Sequence, residues 1–348
     1  MHVLCFGAGA IGSLVGARLS ESGVAVTLLA RRDHVAAIRT RGLIVETPRG
    51  RTVCKNVDSI TALDNLAVRP DLVLLTVKAY HTVAALEALR PLLADHAAIV
   101  SLQNGIGNEE LIAAVCGIPR TIAATITISA SRPRPGVIRQ HTMAGGIGVA
   151  PLDPRREASD LVGLFRGAGF RTLAYREYRS MKWRKLLLNL FTNATSAILD
   201  RPPVAVVEDP RLFEVERGAL REARRVMRAS GVRPVALPGY PVPLLQAALG
   251  APGWLARPLV RRLVRRGRGG QMTSLWQDLH RGRRESEVEV LNGAVAREGA
   301  RLGVETPINT TLTEVLRGLA VGRLTPAQFR GRPDALLALT ARGEHGIR

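Results

Sequence analysis

The chain has 348 residues, 46% of them hydrophobic, which is enough for two domains with their own cores and excludes disorder as the main state. No apolar run approaches the ~20 residues that cross a bilayer, and a strand-like segment starts at residue 2, so neither a membrane span nor a signal peptide is expected and the cytoplasm is the expected location. The formal charge of +20 raises nucleic acid or an acidic membrane as partners, but it is spread along the whole chain, mostly as arginine, so nucleic acid is not expected as the main partner.

Residues 2–6 (HVLCF) read as a short buried strand. Gly7-Ala8-Gly9-Ala10-Ile11-Gly12 follows, and an apolar-periodic helix runs to about Glu21, where Ser22-Gly23 ends it. Residues 24–29 (VAVTLL) are a second strand. This βαβ unit of about thirty residues implies a parallel sheet and fits the Rossmann dinucleotide fingerprint. Gly7 permits the tight turn, Gly9 lets the backbone approach a pyrophosphate, and Gly12 lets helix and strand pack closely. The helix start at Ala10, Ile11 and Gly12 offers free N–H groups and a positive dipole end to the phosphates. The plain alternative is a glycine-rich turn with no ligand.

The end of the second strand distinguishes NAD from NADP. An NAD site usually places a carboxylate there, on the ribose 2′-hydroxyl. This chain has Ala30-Arg31-Arg32, and a guanidinium can fork onto a 2′-phosphate that a carboxylate would repel. NADP(H) is therefore the expected cofactor, with Asp33 just beyond as the feature that keeps NAD open. Two arginines also carry less meaning in so arginine-rich a chain.

Further buried strands are expected at 72–77 (LVLLTV) and 97–102 (AAIVSL). Ligands of an open α/β sheet bind outside such carboxyl ends. Lys78 follows the first strand and could reach cofactor or substrate. Asn104-Gly105 follows the second and offers an amide near the nicotinamide, although Asn-Gly by itself means only a turn. Residues 121–130 and 137–149 look like later strands or hairpins.

From about Tyr178 the pattern turns helical. Residues 178–199 form one long candidate helix, stopped by Asp200-Arg201-Pro202-Pro203. Residues 210–230 form another, and residues 272–302 hold one or two more. The expected architecture is an α/β N-terminal Rossmann domain with a parallel sheet, residues 1–177, followed by an all-α C-terminal domain, residues 178–348. Residues 234–270, rich in Pro, Gly and Arg, read as an insertion or irregular excursion. Cys5, Cys54 and Cys116 form no CxxC pair, and the histidines show no ligand spacing, so neither disulfides nor a metal site is expected.

Lys185, Asn189 and Asn193 are spaced four apart and would share one face of a helix otherwise filled by Leu186, Leu187, Leu188 and Leu190. Polar groups there need partners or a ligand. A hydrogen-bonded stripe joining two helices and a functional stripe are both open readings. Lysine occurs only at Lys55, Lys78, Lys182 and Lys185, and unlike arginine it can give up its proton.

These segments together resemble the ketopantoate reductase family: the glycine motif, Leu75-Thr76-Val77-Lys78, Gln103-Asn104-Gly105, Trp183-Arg184-Lys185 with Asn189 and Asn193, and Ser274 through Asp278 to Glu287-Val288-Glu289-Val290-Leu291-Asn292-Gly293. The resemblance covers most of the chain in the correct order. It implies NADPH-dependent reduction of a 2-oxo acid, ketopantoate (2-dehydropantoate) first among them, in a cleft between the two domains. It implies Lys185 as general acid, Glu287 on the substrate hydroxyl, and Asn104, Asn189, Asn193 and Ser274 as substrate-positioning residues. It also implies Lys78 near cofactor and substrate, and Arg31 with Arg32 on NADPH. Between Gly282 and Glu287 the chain carries one residue more than the family's pattern. Glu285 and Glu289 therefore stay as alternatives to Glu287, which Asn292-Gly293 favours by register.

The competing readings are an oxidoreductase for another 2-oxo or 2-hydroxy acid or an imine, and a non-enzymatic NADP-sensing or nucleic-acid-binding protein. For the latter, Arg257, Arg261 and Arg265 would form one helical face alternating with Leu255, Leu259 and Leu263, where a solvated face is the simpler account. The expected partner is a small-molecule 2-oxo acid, with a homodimer as the assembly to test.

Overall fold

The computed structural model describes residues 1–240, 250–268 and 271–345. It contains two compact units. The first comprises Met1–Gln103, Gly107–Lys182 and Leu237–Tyr240; the second comprises Asn104–Ile106, Trp183–Ala236 and Pro241–Arg348. The first unit thus runs past residue 177. Leu237–Tyr240 packs with it, Thr127 Oγ1 donating to the Pro238 carbonyl at 2.7 Å.

In chain order the first unit holds β1 (His2–Phe6), α1 (Ala10–Glu21), β2 (Ala25–Leu29), α2 (Arg32–Arg41), β3 (Leu43–Thr47), β4 (Gly50–Cys54), β5 (Asp58–Ile60) and β6 (Leu72–Leu75). It continues with α3 (Thr82–Leu89), β7 (Ala98–Ser101), α4 (Asn108–Cys116), β8 (Thr121–Ile126), β9 (Ala130–Arg134), β10 (Val137–Gln140), β11 (Ile147–Pro151), α5 (Ser159–Gly167) and β12 (Thr172–Ala174). The main sheet has the order β12-β11-β8-β7-β6-β1-β2-β5, and only β8 and β11 pair antiparallel.

A parallel sheet is covered on both faces, so its strands are apolar throughout rather than alternating. β6 and β7 show this, with every residue buried. Alternate residues of β1 serve the two faces: Val3 and Cys5 pack with α1, while Leu4 packs with α3 and α4. Register aligns Phe6 with Leu29 on one side and Leu75 on the other, so the turns after β1, β2 and β6 leave the same sheet edge. α1 lies close on the sheet because Gly16 has no side chain; a Cβ there would meet Leu28 Cδ2 at 2.5 Å. Residues 43–60, whose pattern is too short and mixed to declare strands, supply the β3–β4 hairpin of a second sheet, ordered β4-β3-β10-β9, and the edge strand β5.

The second unit is helical: α6 (Tyr178–Leu190, whose first residues belong to the first unit), α7 (Asn193–Leu199), α8 (Pro203–Glu208), α9 (Pro210–Ala229), α10 (Gly253–Arg268), α11 (Ser274–His280), α12 (Asn292–Leu302), α13 (Pro307–Ala320) and α14 (Pro333–His345). Trp183, Leu186, Leu187, Leu190, Phe213, Val226 and Leu312 share its core. Buried Glu222 caps α13 from a distance, accepting from the backbone N–H of Ile308 and Asn309 at 2.9 Å each.

Two expectations are corrected. The single helix over 178–199 is two helices, because Thr192 adopts φ 63° and sends its N–H to the buried Glu216 carboxylate at 2.6 Å instead of along the helix. A β-branched residue in that conformation is an outlier that the surrounding structure must hold in place. The stretch expected to be irregular contains α10, with Ala256 and Val260 buried in the core. Arg257 and Arg265 of that helix both bond Glu208, at 2.8 and 3.1 Å. The rest of residues 234–270, at 241–249 and 269–270, lies outside the described residues.

Candidate active site

The glycine turn after β1 is built from two kinds of glycine. Gly7 has φ 97°, and a Cβ on it would meet Val77 Cγ1 at 2.6 Å and Val77 N at 2.8 Å. Gly12 faces the Thr76 hydroxyl and, at 3.0 Å, the Gly7 carbonyl in the same way. Packing therefore demands both. Gly9 differs: a Cβ there would meet nothing nearer than the Gly7 carbonyl at 3.8 Å. Its bare backbone borders open space at the start of α1, where the first-turn N–H groups of Ala10, Ile11 and Gly12 have no intrahelical acceptor. This fits a dinucleotide pyrophosphate, which needs both close backbone approach and free donors.

The carbonyls of the turn are held from behind. Thr76 Oγ1 donates to Gly7 O at 2.8 Å, and Ser13 Oγ donates to Ala8 O at 3.1 Å. Ser13 Oγ in turn accepts from His34 Nε2 at 3.0 Å, and His34 Nδ1 accepts from the Gly136 N–H at 2.8 Å. The Gly136 donor fixes the tautomer, since Nδ1 must be bare. His34 is fully buried, and burial, reinforced by the Arg132 guanidinium and opposed by Asp33, pushes its pKa down to about 4.

A pH dependence follows. His34 is neutral in the fold down to about pH 4 but would titrate near 6.5 when unfolded. Its contribution is whole above pH 6.5 and is lost as pH falls through that window to 4, on the order of 3 kcal/mol. The melting temperature should fall between pH 6.5 and 4, with a shallower slope in His34→Gln. Equal slopes in the two proteins would mean that another group carries the acid sensitivity.

At the neighbouring strand end, Arg31 and Arg32 are exposed where α2 begins, with Asp33 exposed beside them. The Ala8 N–H bonds the Leu29 carbonyl at 2.8 Å, which ties the two turns together. Lys78, half-buried, follows β6. Gln103 is buried and donates through Nε2 to Val77 O at 3.0 Å and to Thr82 Oγ1 at 2.8 Å, joining the β6 and β7 ends.

In the helical unit, six of the eight residues from Trp183 to Leu190 are buried, and the two that keep access are Lys185 and Asn189. Asn189 Nδ2 donates to Asn104 Oδ1 at 3.1 Å. Asn193, buried at the start of α7, is not on the same helix as Lys185. Its amide donates to Ser274 Oγ at 3.5 Å and accepts from the Leu275 N–H at 3.3 Å. The Ile106 N–H bonds Val290 O at 3.0 Å, and a Cβ on Gly105 (φ 89°) would meet Val290 Cγ2 and O at 2.5 Å. Asn104 is therefore held beside the 3-10 turn Glu287–Val290. Of the three candidate glutamates, Glu287 is buried and Glu285 exposed, while Glu289 pairs with Arg297 at 3.6 Å and Arg317 at 3.8 Å. The structure brings together Asn104 with Asn189 and Asn193 with Ser274. Ser13, Thr76 and His34 were not foreseen as supports of the glycine turn. Thr76 lies inside the Leu75-Thr76-Val77-Lys78 motif, but nothing in the sequence marks Ser13 or His34.

Two family models match the chain: Ketopantoate reductase PanE/ApbA over residues 3–154, and Ketopantoate reductase PanE/ApbA C terminal over residues 177–320. The chain belongs to the ketopantoate reductase family. Among relatives, it is 31% identical over 326 residues to the 2-dehydropantoate 2-reductase of Archaeoglobus fulgidus, covering 92% of this chain and 98% of that one. It is 30% identical over 322 residues to that of Pyrococcus horikoshii, covering 91% and 97%. Among solved structures, a PanE/ApbA family ketopantoate reductase from Ralstonia eutropha JMP134 superposes with TM-score 0.78 at 30% identity, covering 93% of this chain and 99% of that one. D-mandelate dehydrogenase, solved with NADH and anilino(oxo)acetate, gives TM-score 0.78 at 22% identity over 92% and 99% of the chains, which shows the shared fold. As a member of the ketopantoate reductase family the chain is an oxidoreductase. Among the described residues, no helix is long and apolar enough to cross a membrane.

Proposed function

We propose that this chain reduces ketopantoate (2-dehydropantoate) to pantoate with NADPH. The observation that carries the reading is the pair Lys185 and Asn189, accessible on a helix that is otherwise buried between Trp183 and Leu190. When bound, NADPH supplies the hydride for the 2-oxo carbon. Lys185 donates a proton to the oxygen as negative charge develops there, so the ketone becomes an alcohol. An ammonium aimed at charge that appears only in the transition state accelerates the step rather than merely binding substrate. Asn104, Asn189, Asn193 and Ser274 orient the substrate, and Lys78 lies near cofactor and substrate. Gly7, Gly9, Ala10, Ile11 and Gly12 cradle the pyrophosphate, and Arg31 with Arg32 takes the 2′-phosphate.

Glu287 accepts a hydrogen bond from the substrate's hydroxyl. A buried carboxylate left unpaired by an analogue lacking that hydroxyl discriminates strongly. NADPH oxidation should therefore be followed with ketopantoate and with the analogue lacking its hydroxyl, within a panel of 2-oxo acids. Ketopantoate should lead in kcat/KM, and Glu287→Gln should cost it more than it costs the analogue. A different leading acid would reassign the substrate within the same chemistry, and equal losses would make Glu287 structural.

The same reading carries a cytoplasmic location and a homodimer, for which Trp254, Leu255 and Leu259, exposed on α10, offer apolar surface to a second copy.

A further inference from the structure

We propose that Lys182 and Glu109 are positioning residues that fix the peptide leading into Asn104; the proposal rests on the reductase reading above. Lys182 lies on α6 three residues before Lys185, and its side chain is only 3% exposed. Its ammonium donates to the Gln103 carbonyl at 2.7 Å and the Ala124 carbonyl at 3.4 Å, and sits 2.8 Å from Oε1 of Glu109. Glu109, 1% exposed, occupies the first turn of α4, where the helix dipole favours its negative charge.

A buried ion pair is a poor way to gain stability, because desolvation of two charges offsets their attraction and apolar residues of similar volume commonly do as well. The pair here does something apolar residues could not: through Lys182 it holds, besides the Ala124 carbonyl at 3.4 Å, the carbonyl oxygen of Gln103 at 2.7 Å. That oxygen belongs to the peptide whose N–H is that of Asn104. The Gln103 side chain is already fixed on Val77 O and Thr82 Oγ1, so residue 103 is held by both main chain and side chain. The segment beyond it turns on two glycines in the left-handed region, Gly105 at φ 89° and Gly107 at φ 103°. Its far side is tied by the bond from Ile106 N to Val290 O. Lys182 thus supplies the near tie of a four-residue loop whose amide, Asn104, bonds Asn189.

Three variants test this: Lys182→Met, Glu109→Gln, and the double Lys182→Met/Glu109→Leu. Each is measured for kcat and KM with ketopantoate, for NADPH affinity without substrate, and for melting temperature. Displacement of a positioning group by ~1 Å can cost about 10²-fold in rate. The expected result for Lys182→Met is kcat down by about 10- to 100-fold with NADPH affinity near that of wild type. Glu109→Gln, which leaves Lys182 on the Gln103 carbonyl, should lose several-fold. The double variant replaces the pair by apolar side chains, so its melting temperature should recover while kcat stays low. Recovery of kcat together with melting temperature would make the pair purely structural and overturn the proposal. If the methionine variants do not fold, Glu109→Gln decides alone, and wild-type kcat in it overturns the proposal. A wild-type chain inactive on ketopantoate defeats the functional reading instead, and the variants are then compared on the 2-oxo acid that it does reduce.

Discussion

Lys185→Ala is expected to lower kcat for ketopantoate by about 10²–10⁴-fold, the usual contribution of a general acid, while NADPH binding survives. The substitution removes both the proton and the charge that meets the developing alkoxide. Alanine is the best helix former, and Lys185 is not part of the buried face of α6, so the fold should tolerate the change. Lys185→Arg should rescue poorly. A guanidinium is planar, larger and holds its proton too firmly to transfer it. Stopped-flow or steady-state NADPH oxidation gives kcat, and quenching of NADPH fluorescence gives the binding constant. Near-normal turnover in Lys185→Ala would remove it from the catalytic role. A parallel loss of NADPH affinity would point instead to a cofactor-binding residue.

Changing Arg31 and Arg32 together to alanine should weaken NADPH by on the order of 10²-fold and NADH far less. A charged hydrogen bond lost at a binding site costs about one order of magnitude or more in affinity. The two side chains are exposed at the start of α2, one strand over from the glycine turn, and α2 continues with Asp33 in its first turn. The wild type should prefer NADPH and the double variant should approach indifference between the cofactors. Because phosphate contacts between exposed charges are screened, the wild-type preference should also shrink as salt rises. Equal loss for both cofactors, or a wild-type preference for NADH, would leave Asp33 as the group to test next.

Features that depend on neighbours along the chain are legible in the residues alone. The strand of residues 2–6, the glycine turn and the helix after it are a local unit. The needs of Gly7 and Gly12 follow from a tight turn and close helix–strand packing, and those needs are visible in the spacing alone. The arginines that stand in place of a carboxylate at the β2 end and the polar positions on an apolar helix are local too. Even so, an unbroken apolar period over 178–199 could not reveal the break at Thr192. The carboxylate that receives its N–H belongs to Glu216, on α9. Nor could spacing choose among Glu285, Glu287 and Glu289, which differ in burial and in ion pairs rather than in local pattern.

Tertiary structure alone decided the partners. Asn104 meets Asn189, Asn193 meets Ser274, and Ser13, His34 and Gly136 form one chain of hydrogen bonds behind the glycine turn. It also placed Asn104–Ile106 with the helical unit and Leu237–Tyr240 with the sheet unit, which a single cut at residue 178 cannot represent. Periodicity and turn chemistry arise from interactions within a few residues, and a sequence displays them directly. A buried polar group must find its partner wherever packing brings one, and that choice is made only when distant segments of the chain meet.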